Sequence, residues 1–230
     1  MRILALDTAT EGCSAALLLN GTLIGRELEL GRGHAEQILP MIDELLAETG
    51  ITLADLDAIA FGRGPGGFTG VRLAASVTQG LAFGTGLPVV PISDLQAVAQ
   101  RVLGGDGTAV RVVVCNDARM QEVYWGCFDR GPAGLAVAIG DEKVGKPETV
   151  ALPAGWSSPV EGAGRGFAAY PELRSSRMGE QLAAVHDRLL PRAHEIALLA
   201  APVLAAGGAV RPEEAIPVYL RDDVARPALS

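Results

Sequence analysis

An α/β fold built from two related halves is the fold class that this 230-residue sequence predicts. A strand, an acidic turn and a second strand occur within residues 3–19 and again within 110–128, which indicates an internal repeat. Between these two segments, apolar strand patterns alternate with helical patterns, as they do in α/β folds. The chain is 49% hydrophobic and 20% charged, so it has enough apolar side chains to bury a sizeable core.

The first half is predicted to be a hairpin sheet followed by alternating helices and strands. Asn20-Gly21 is typical of a tight turn between the second and third strands. Pro40 lies inside the first helical pattern and predicts a kink or a late helix start, because proline has no amide to donate. The predicted strands cover 3–6, 15–19, 23–30, 56–61 and 88–92, and the predicted helices cover 34–49, 69–83 and 93–103.

The glycine-rich run Gly104-Gly105-Asp106-Gly107 predicts a boundary between domains of residues 1–105 and 106–230. The second half repeats the hairpin with strands at 110–115 and 122–128. Residues 131–177 are rich in Gly, Pro and Ser and predict loops with short strands. A helix follows at 192–206, then a strand or arm at 216–220, and we expect this terminal helix or tail to be able to pack back on the first domain.

Composition excludes several classes of function. A net charge of −8 and a pI near 4.9 argue against unaided nucleic-acid binding, because phosphate backbones are held mainly by clustered Lys and Arg. The three cysteines lack Cys-x-x-Cys spacing, which predicts buried thiols in a reducing compartment. No apolar run is long enough for a membrane span, and the N-terminus reads as a strand. We therefore predict a cytoplasmic protein.

The segment AFGRGPGGFTGVRLAASVTQGLAFGTG, residues 60–86, holds the densest run of glycines. Five of them fall between Gly62 and Gly70, and Pro65 stiffens the middle. Glycine permits positive φ angles and close backbone approach, so the loop suits contact with a ligand, a helix or a neighbouring segment. An ordinary strand-to-helix turn with Thr69 as the N-cap is an equally good interpretation. The predicted loop residues are Gly62, Gly64, Pro65, Gly66, Gly67 and Thr69.

Two nucleotide-binding templates fit this loop poorly. The run from Gly62 matches the opening of a P-loop, but Phe68 stands where a lysine should reach the phosphates. Gly62, Gly64 and Gly67 satisfy Gly-x-Gly-x-x-Gly, with Asp94 as a possible ribose acceptor, yet Pro65 removes one amide from the cradle.

No assembled catalytic group or metal site is predicted. The histidines His34, His186 and His194 have no ligand spacing, and no Gly-x-Ser-x-Gly elbow occurs. Asp7 and Asp117 follow the first strand of each half, where a split nucleotide-binding fold would place its metal–phosphate loops. They are weak candidates for cofactor binding, because aspartate is also among the commonest turn residues.

Five segments together resemble the TsaB (YeaZ) family: ILALDTATEGCSAAL, HAEQILPMI, GRGPGGFTGVR with QGLAFG behind it, NDARMQEVYW and PVYLR. The resemblance implies two related domains of the actin, Hsp70 and sugar-kinase (ASKHA) type. It also implies a role in forming N6-threonylcarbamoyladenosine at position 37 of tRNAs that read codons starting with A.

In that family the transfer belongs to a related partner, TsaD, whose first domain carries a His-x-x-x-His metal pair. Here Ile38 stands four residues after His34, so the pair is absent. Both hairpin turns also lack the glycine of kinase-like phosphate loops. The resemblance therefore implies an accessory subunit without a cofactor of its own, with a nucleotide possible only at the interface of the complex. It implies pairing with TsaD and the ATPase TsaE, homodimers in isolation, and contact with tRNA only through the complex.

The partner surface is predicted on helices 34–49 and 69–83. At about 100° per residue, the apolar arc of the first helix is roughly 160° wide, more than its own core needs. Leu39 and Met41 lie at the two edges of this arc, so at least one should face outward. Small residues four apart on the second helix allow close approach of another helix. The predicted interface residues are Leu39, Met41, Ile42, Leu45, Gly70, Ala74 and Gly80.

Two other functions remain open on the residues alone. A stand-alone nucleotide-dependent enzyme of the sugar-kinase type would require the purified chain to bind ATP tightly. A dinucleotide-binding oxidoreductase would give a signal in a cofactor-fluorescence titration, which Pro65 and Phe68 predict to be absent.

Overall fold

The computed structural model of the protein describes residues 1–105, 107–156 and 159–221. The helices are α1 His34–Thr49, α2 Phe68–Thr85, α3 Asp94–Leu103, α4 Gly166–Ala169, α5 Glu172–Ser175 and α6 Ala193–Ala205. The strands are β1 Arg2–Asp7, β2 Gly12–Leu19, β3 Thr22–Glu29, β4 Ala58–Gly62, β5 Val89–Ile92, β6 Arg111–Asp117, β7 Val123–Arg130, β8 Ala136–Ala138, β9 Lys143–Gly145, β10 Val160–Ala163 and β11 Leu182–His186.

The first sheet has the strand order β3-β2-β1-β4-β5. The first three strands form an antiparallel meander, and β4 and β5 continue parallel to β1. Asn20 and Gly21 turn the chain between β2 and β3 with φ angles of 50° and 95°, so the predicted hairpin turn is confirmed. Apolar side chains on alternate faces of these strands are buried, because helices cover the sheet on both sides.

The second sheet repeats this arrangement. Its order is β11-β10-β6-β7-β8, with β9 paired to β7 beside β8. The strands β6, β7 and β8 are antiparallel, and β10 and β11 run parallel to β6. Order and directions thus match the first sheet strand for strand, and Asp7 and Asp117 end the equivalent strands β1 and β6. The predicted repeat and the predicted two-part ASKHA-type fold are both confirmed.

The two sheets are joined through a shared central layer of helices. α3 packs on β6, β7 and β8 of the second sheet, whereas α6 packs on β1, β2, β4 and β5 of the first. Their side chains and the inner faces of both sheets form one apolar core. α1 and α2 cover the outer face of the first sheet, and a third cluster lies behind the second sheet around Phe167 and Leu173.

The element boundaries mostly follow the predicted ones. α1 begins at His34, as predicted, and continues through Pro40, so Pro40 does not mark a late start. α2 begins at Phe68 with Gly67 as its N-cap, so the prediction that Thr69 is the N-cap was wrong. Gly67 is extended (φ −65°, ψ 131°), and no side chain caps the helix.

The residues after α6 return along the first sheet. Val210 exchanges both backbone hydrogen bonds with Val89 at the edge of β5 (2.8 and 2.9 Å), and Ala215 is fully buried. The Val218 amide then donates to the Arg63 carbonyl (2.7 Å). Residues 216–220 form an arm and no strand. Throughout the described ranges, no helix is both long and apolar enough to cross a membrane.

Candidate functional site

A cleft of about 1020 Å³ opens between the two sheets. Its walls come from the β1–β2 turn, the start of α1, the glycine loop before α2, the β6–β7 turn, α4 and the arm after α6. All five segments that carry the family resemblance contribute residues to these walls, including the glycine loop, the turn of NDARMQEVYW and the terminal PVYLR. Their sequence separation is too large for any local pattern to have predicted this convergence.

Asp7 lies behind this cleft and does not face it. The side chain is fully buried, and Oδ1 accepts from the Ala9 amide (3.0 Å) while Oδ2 has no partner among the described residues. Burial raises the pKa of Asp7 to about 6, against the opposing effect of its hydrogen bonds to Ala9 and Asp94. In this position the carboxyl group cannot reach a ligand in the cleft.

The glycine loop covers Asp7 by packing directly on the β1–β2 turn. The Gly67 amide donates to the Ala9 carbonyl and the Thr8 hydroxyl donates to the Gly70 carbonyl, each at 2.7 Å. A Cβ atom at Gly66 would lie 2.5 Å from the Ala9 carbonyl oxygen, and one at Gly70 would come within 3.0 Å of the Thr8 carbonyl oxygen. These glycines therefore serve contact between two segments of the chain, and the space they leave is already filled.

Asp94 fixes the other end of the loop. The Gly64 amide donates to Asp94 Oδ2, and the Asp94 amide donates back to the Gly64 carbonyl (3.1 Å). Gly64 has a φ of 101°, which favours glycine, and Val218 O would lie 2.9 Å from a Cβ there. Asp94 is fully buried, so the idea that it accepts a ribose hydroxyl was wrong.

Gly62 separates two buried carboxyl groups. A Cβ at this position would sit within 3.0 Å of both Asp7 Oδ1 and Asp94 Oδ1. Burial and the neighbouring Asp7 charge raise the pKa of Asp94 well above its usual range. Pro65 follows a cis peptide bond from Gly64, is buried and lines the cleft.

Asp117 does line the cleft, but its oxygens are occupied by other groups of the chain. Oδ1 accepts from the Arg119 amide (2.7 Å) and from the Tyr170 hydroxyl (2.9 Å), and Oδ2 accepts from Arg119 Nη1 (3.0 Å). The turn that follows has positive φ at three consecutive residues, Arg119, Met120 and Gln121 (62°, 54° and 60°). Asp117 thus stabilises a strained turn, in which Met120 is 81% exposed.

An aromatic cluster that the sequence did not predict lies at the rim of the cleft. The Arg72 guanidinium stacks 3.4 Å above the Phe68 ring, and its Nε donates to the Tyr219 hydroxyl (2.7 Å). The two ring centroids are 6.2 Å apart, and both rings are about half exposed. The name rim cluster refers below to Phe68, Arg72 and Tyr219. The only signal in the sequence was that GRGPGGFTGVR and PVYLR both belong to the resemblance.

The predicted interface residues of α1 separate into buried and exposed ones. Met41, Ile42 and Leu45 are buried in the core beneath α1, so their placement on an exposed partner surface was wrong. The buried arc from Met41 to Ile42 is about 100° wide, the usual width of a core-facing stripe. Leu39 lies outside that arc and is 46% exposed.

The predicted residues of α2 also divide. Gly70 packs on the β1–β2 turn and Ala74 is fully buried, so neither lies on an exposed face. Ten residues separate Gly70 from Gly80, which at about 100° per residue turns Gly80 to another side of the helix. Gly80 is exposed with open space around it, and Phe83 beside it is 61% exposed.

Within the part of the chain that the structure describes, no group of three or more His, Cys, Asp and Glu side chains is arranged to hold a metal ion.

Comparison with known families and sequences gives the following matches. The family model described as TsaD, tRNA N6-adenosine threonylcarbamoyltransferase, matches residues 29–229. The tRNA threonylcarbamoyladenosine biosynthesis protein TsaB of Escherichia coli K12 is 41% identical, and the match covers 98% of this chain and 96% of that protein. The protein of the same name from Haemophilus influenzae is 41% identical over 97% of this chain and 95% of its own length.

Two solved structures have the same overall architecture. The structure described as YeaZ from Pseudomonas aeruginosa is 45% identical with a TM-score of 0.87, and the match covers 95% of this chain and 99% of that one. A crystal structure of an uncharacterized protein with similarity to peptidase YeaZ, also from Pseudomonas aeruginosa, is 46% identical with a TM-score of 0.88. That match covers 96% and 99% of the two chains.

Proposed function

This chain belongs to the TsaB (YeaZ) family of tRNA threonylcarbamoyladenosine biosynthesis proteins, within the wider family of the TsaD model, and we propose that it is a non-catalytic subunit. It pairs with a TsaD-like transferase and works with a TsaE-like ATPase. Together they form N6-threonylcarbamoyladenosine at position 37 of tRNAs that read codons starting with A. The chain acts in the cytoplasm, and its three cysteines are free and buried, consistent with a reducing compartment.

The burial of Asp7 is the observation that carries the non-catalytic role. A kinase-like site needs this carboxylate ionised and open to a metal–phosphate group. Here the glycine loop covers the Asp7 carboxyl group, and the Thr8 and Ala9 carbonyls lie against the glycines of that loop. Burial raises the pKa of Asp7, which favours its protonated form. The equivalent Asp117 is engaged by Arg119 and Tyr170. Neither acid is free for phosphoryl or carbamoyl chemistry.

The outer faces of α1 and α2 support the pairing role. Leu39 and Phe83 expose large apolar side chains there, and Gly80 leaves room for a close backbone approach. An exposed apolar side chain gains free energy when a partner covers it, at roughly 25 cal/mol per Å². We propose this face, with Leu39, Gly80 and Phe83, as the surface for the TsaD-like subunit and for a second copy of the chain when that subunit is absent.

Reconstitution with purified components tests the proposed function. Threonylcarbamoyl-AMP, tRNA, the TsaD-like and TsaE-like subunits and this chain are combined, and modified adenosine is measured by mass spectrometry of digested tRNA. We expect the full mixture to form product, and neither this chain alone nor the mixture without it to do so at a comparable rate. Threonylcarbamoyl transfer by the isolated, metal-stripped chain would contradict the proposal.

A further inference from the structure

The rim cluster brings together two segments about 150 positions apart in the chain. Phe68 and Arg72 lie one turn apart at the start of α2, and Tyr219 comes from the arm after α6. The hydrogen bond from Val218 to Arg63 holds the arm against the glycine loop just before Tyr219. The cluster is therefore built from fixed backbone on both sides, and its rings are already in place before any ligand arrives.

Arg72 is exposed and has no acidic partner within ion-pair distance among the described residues. Its guanidinium is oriented by Phe68 on one side and by the Tyr219 hydroxyl on the other. A guanidinium held in this way retains Nη donors for a phosphate group, for which its planar fork is well suited.

The cleft beside the rim cluster is lined by the arginines Arg32, Arg119, Arg165 and Arg221. Three of them form ion pairs, Arg119 with Glu11 and Asp117, Arg165 with Glu11 and Glu29, and Arg221 with Glu122. Arg32 in the cleft wall and Arg72 at the rim have no acidic partner among the described residues, so an anion is favoured beside these two.

We propose that the rim cluster binds one unpaired nucleotide of the tRNA substrate, with the base stacked on the Phe68 and Tyr219 rings and the phosphate on Arg72. Exposed aromatic rings beside arginines are the usual means of holding unpaired bases, since every base has a π-face. This inference rests on the proposed function, because that function brings the tRNA to the complex. It adds a direct contact between tRNA and this subunit.

A protein partner is the competing occupant, because Tyr and Arg are also frequent in protein interfaces. The observations favour RNA for two reasons. Arg72 has no acidic partner among the described residues, and the rings stand at the mouth of an open cleft whose wall carries Arg32, a second arginine without such a partner. Leu39 and Phe83, the exposed apolar residues of the proposed pairing surface, do not line this cleft.

The test uses the complete complex and a fluorescein-labelled tRNA anticodon stem-loop. We expect Phe68→Ala and Tyr219→Ala each to raise the Kd for the stem-loop by roughly 5- to 100-fold, the loss of one stacked base. Phe68→Tyr, which keeps the ring, should retain the wild-type affinity. Arg72→Gln should lower the slope of log Kd against log salt concentration by roughly 0.7 to 1, the value for one phosphate contact.

Ile216→Ala is the matched control, because Ile216 lies in the same arm, is 62% exposed and lacks an aromatic ring. It should bind the stem-loop as the wild type does. Complex assembly is followed by size-exclusion chromatography for every variant. Equal RNA affinity for Phe68→Ala, Tyr219→Ala and the wild type would overturn the proposal. Loss of assembly with unchanged RNA affinity would also overturn it and would assign the rim cluster to a protein partner.

The two proposals fail in different ways. If the wild-type complex forms no modified adenosine, the proposed function fails, whereas the RNA affinities of the variants still decide the role of the rim cluster. If product forms and the variants bind RNA normally, only the rim cluster proposal fails.

Discussion

Two carboxyl groups, those of Asp7 and Asp94, meet at Gly62 in the interior of the protein, and neither is exposed to solvent. One oxygen of each has no hydrogen-bond partner among the described residues. Two adjacent buried carboxylates cannot both be ionised without a large cost, so at least one proton is retained. The glycine loop therefore rests on a protonated acid pair.

This pair predicts a specific dependence of stability on pH. Folding raises the pKa of Asp7 to about 6 and that of Asp94 well above its usual range, so the folded chain binds protons more tightly than the unfolded chain. The resulting stabilisation is fully present below the ordinary aspartate pKa of 3.8 and is lost as the pH rises through the folded pKa, which is about 6 for Asp7. Asp94→Asn removes one charge and keeps an oxygen for the Gly64 amide. Between pH 5 and pH 8, the unfolding free energy of this variant should therefore fall by roughly 1–3 kcal/mol less than that of the wild type.

Urea unfolding at a series of pH values measures this effect. Asp43→Asn, which changes an exposed carboxylate on α1, serves as the control and should follow the wild-type curve. Parallel curves for Asp94→Asn and the wild type would show that the acid pair does not titrate in this range.

At the scale of single elements, α1 shows how much helical periodicity can predict. The bounds 34–49 agree with the structure, and the Leu39 edge of the apolar arc faces solvent. The Met41 edge turned inward, because periodicity gives the width of an apolar stripe and the sheet beneath decides where the stripe is centred. Leu39 is therefore the residue of α1 that can test the partner surface.

Leu39→Glu should leave the isolated chain folded, with a change in unfolding free energy of about 0.5 kcal/mol or less. It should weaken association with the TsaD-like subunit at least about tenfold, because an unpaired charge would be buried in the complex. Analytical ultracentrifugation of the mixed subunits measures the association, and thermal unfolding measures the fold.

Leu28→Glu provides the comparison, since Leu28 is 45% exposed, almost the same as Leu39, but lies on the edge strand β3 and on neither α1 nor α2. Association that is weakened equally by both changes, or by neither, would place the partner surface elsewhere. Met41→Glu should unfold the chain, because Met41 is only 5% exposed.

Short elements illustrate the opposite limit of sequence reasoning. β9 and β10 fall in residues 131–177, which predicted only loops with short strands, and β11 lies just after them; each is held by pairing with a distant strand. Their local patterns are too brief to indicate direction or neighbour. Phe68, Arg72 and Tyr219 were missed as a cluster for the same reason, because only the folded chain brings Tyr219 to α2. The acids at the strand ends were found, since repeated hairpins place them equivalently.

At the scale of the whole molecule, the helices cross between the two sheets. The helix that follows β5 covers the second sheet, and the helix that follows β11 covers the first. The predicted division at residue 105 stays a proposal about domains. The shared core indicates that neither half is complete without the other.

A fragment of residues 1–105 should therefore fail to fold alone. It would expose the inner face of the first sheet and the apolar side of α3, both of which need the second half for burial. We expect a poorly dispersed amide NMR spectrum for this fragment and a dispersed one once residues 106–230 are added. A well-dispersed spectrum and cooperative melting of the first fragment alone would contradict the prediction.

The crossing of α6 to the first sheet also sets an order of events during translation. β1 to β5 leave the ribosome about 100 residues before α6, which at typical elongation rates is an interval of roughly 5–20 s. Throughout that time the inner face of the first sheet, including Ile3, Ala60 and Ile92, has no α6 to cover it. The nascent chain thus presents an apolar surface that only its own later residues can bury, and chaperones that recognise apolar segments have their longest opportunity to bind in this interval.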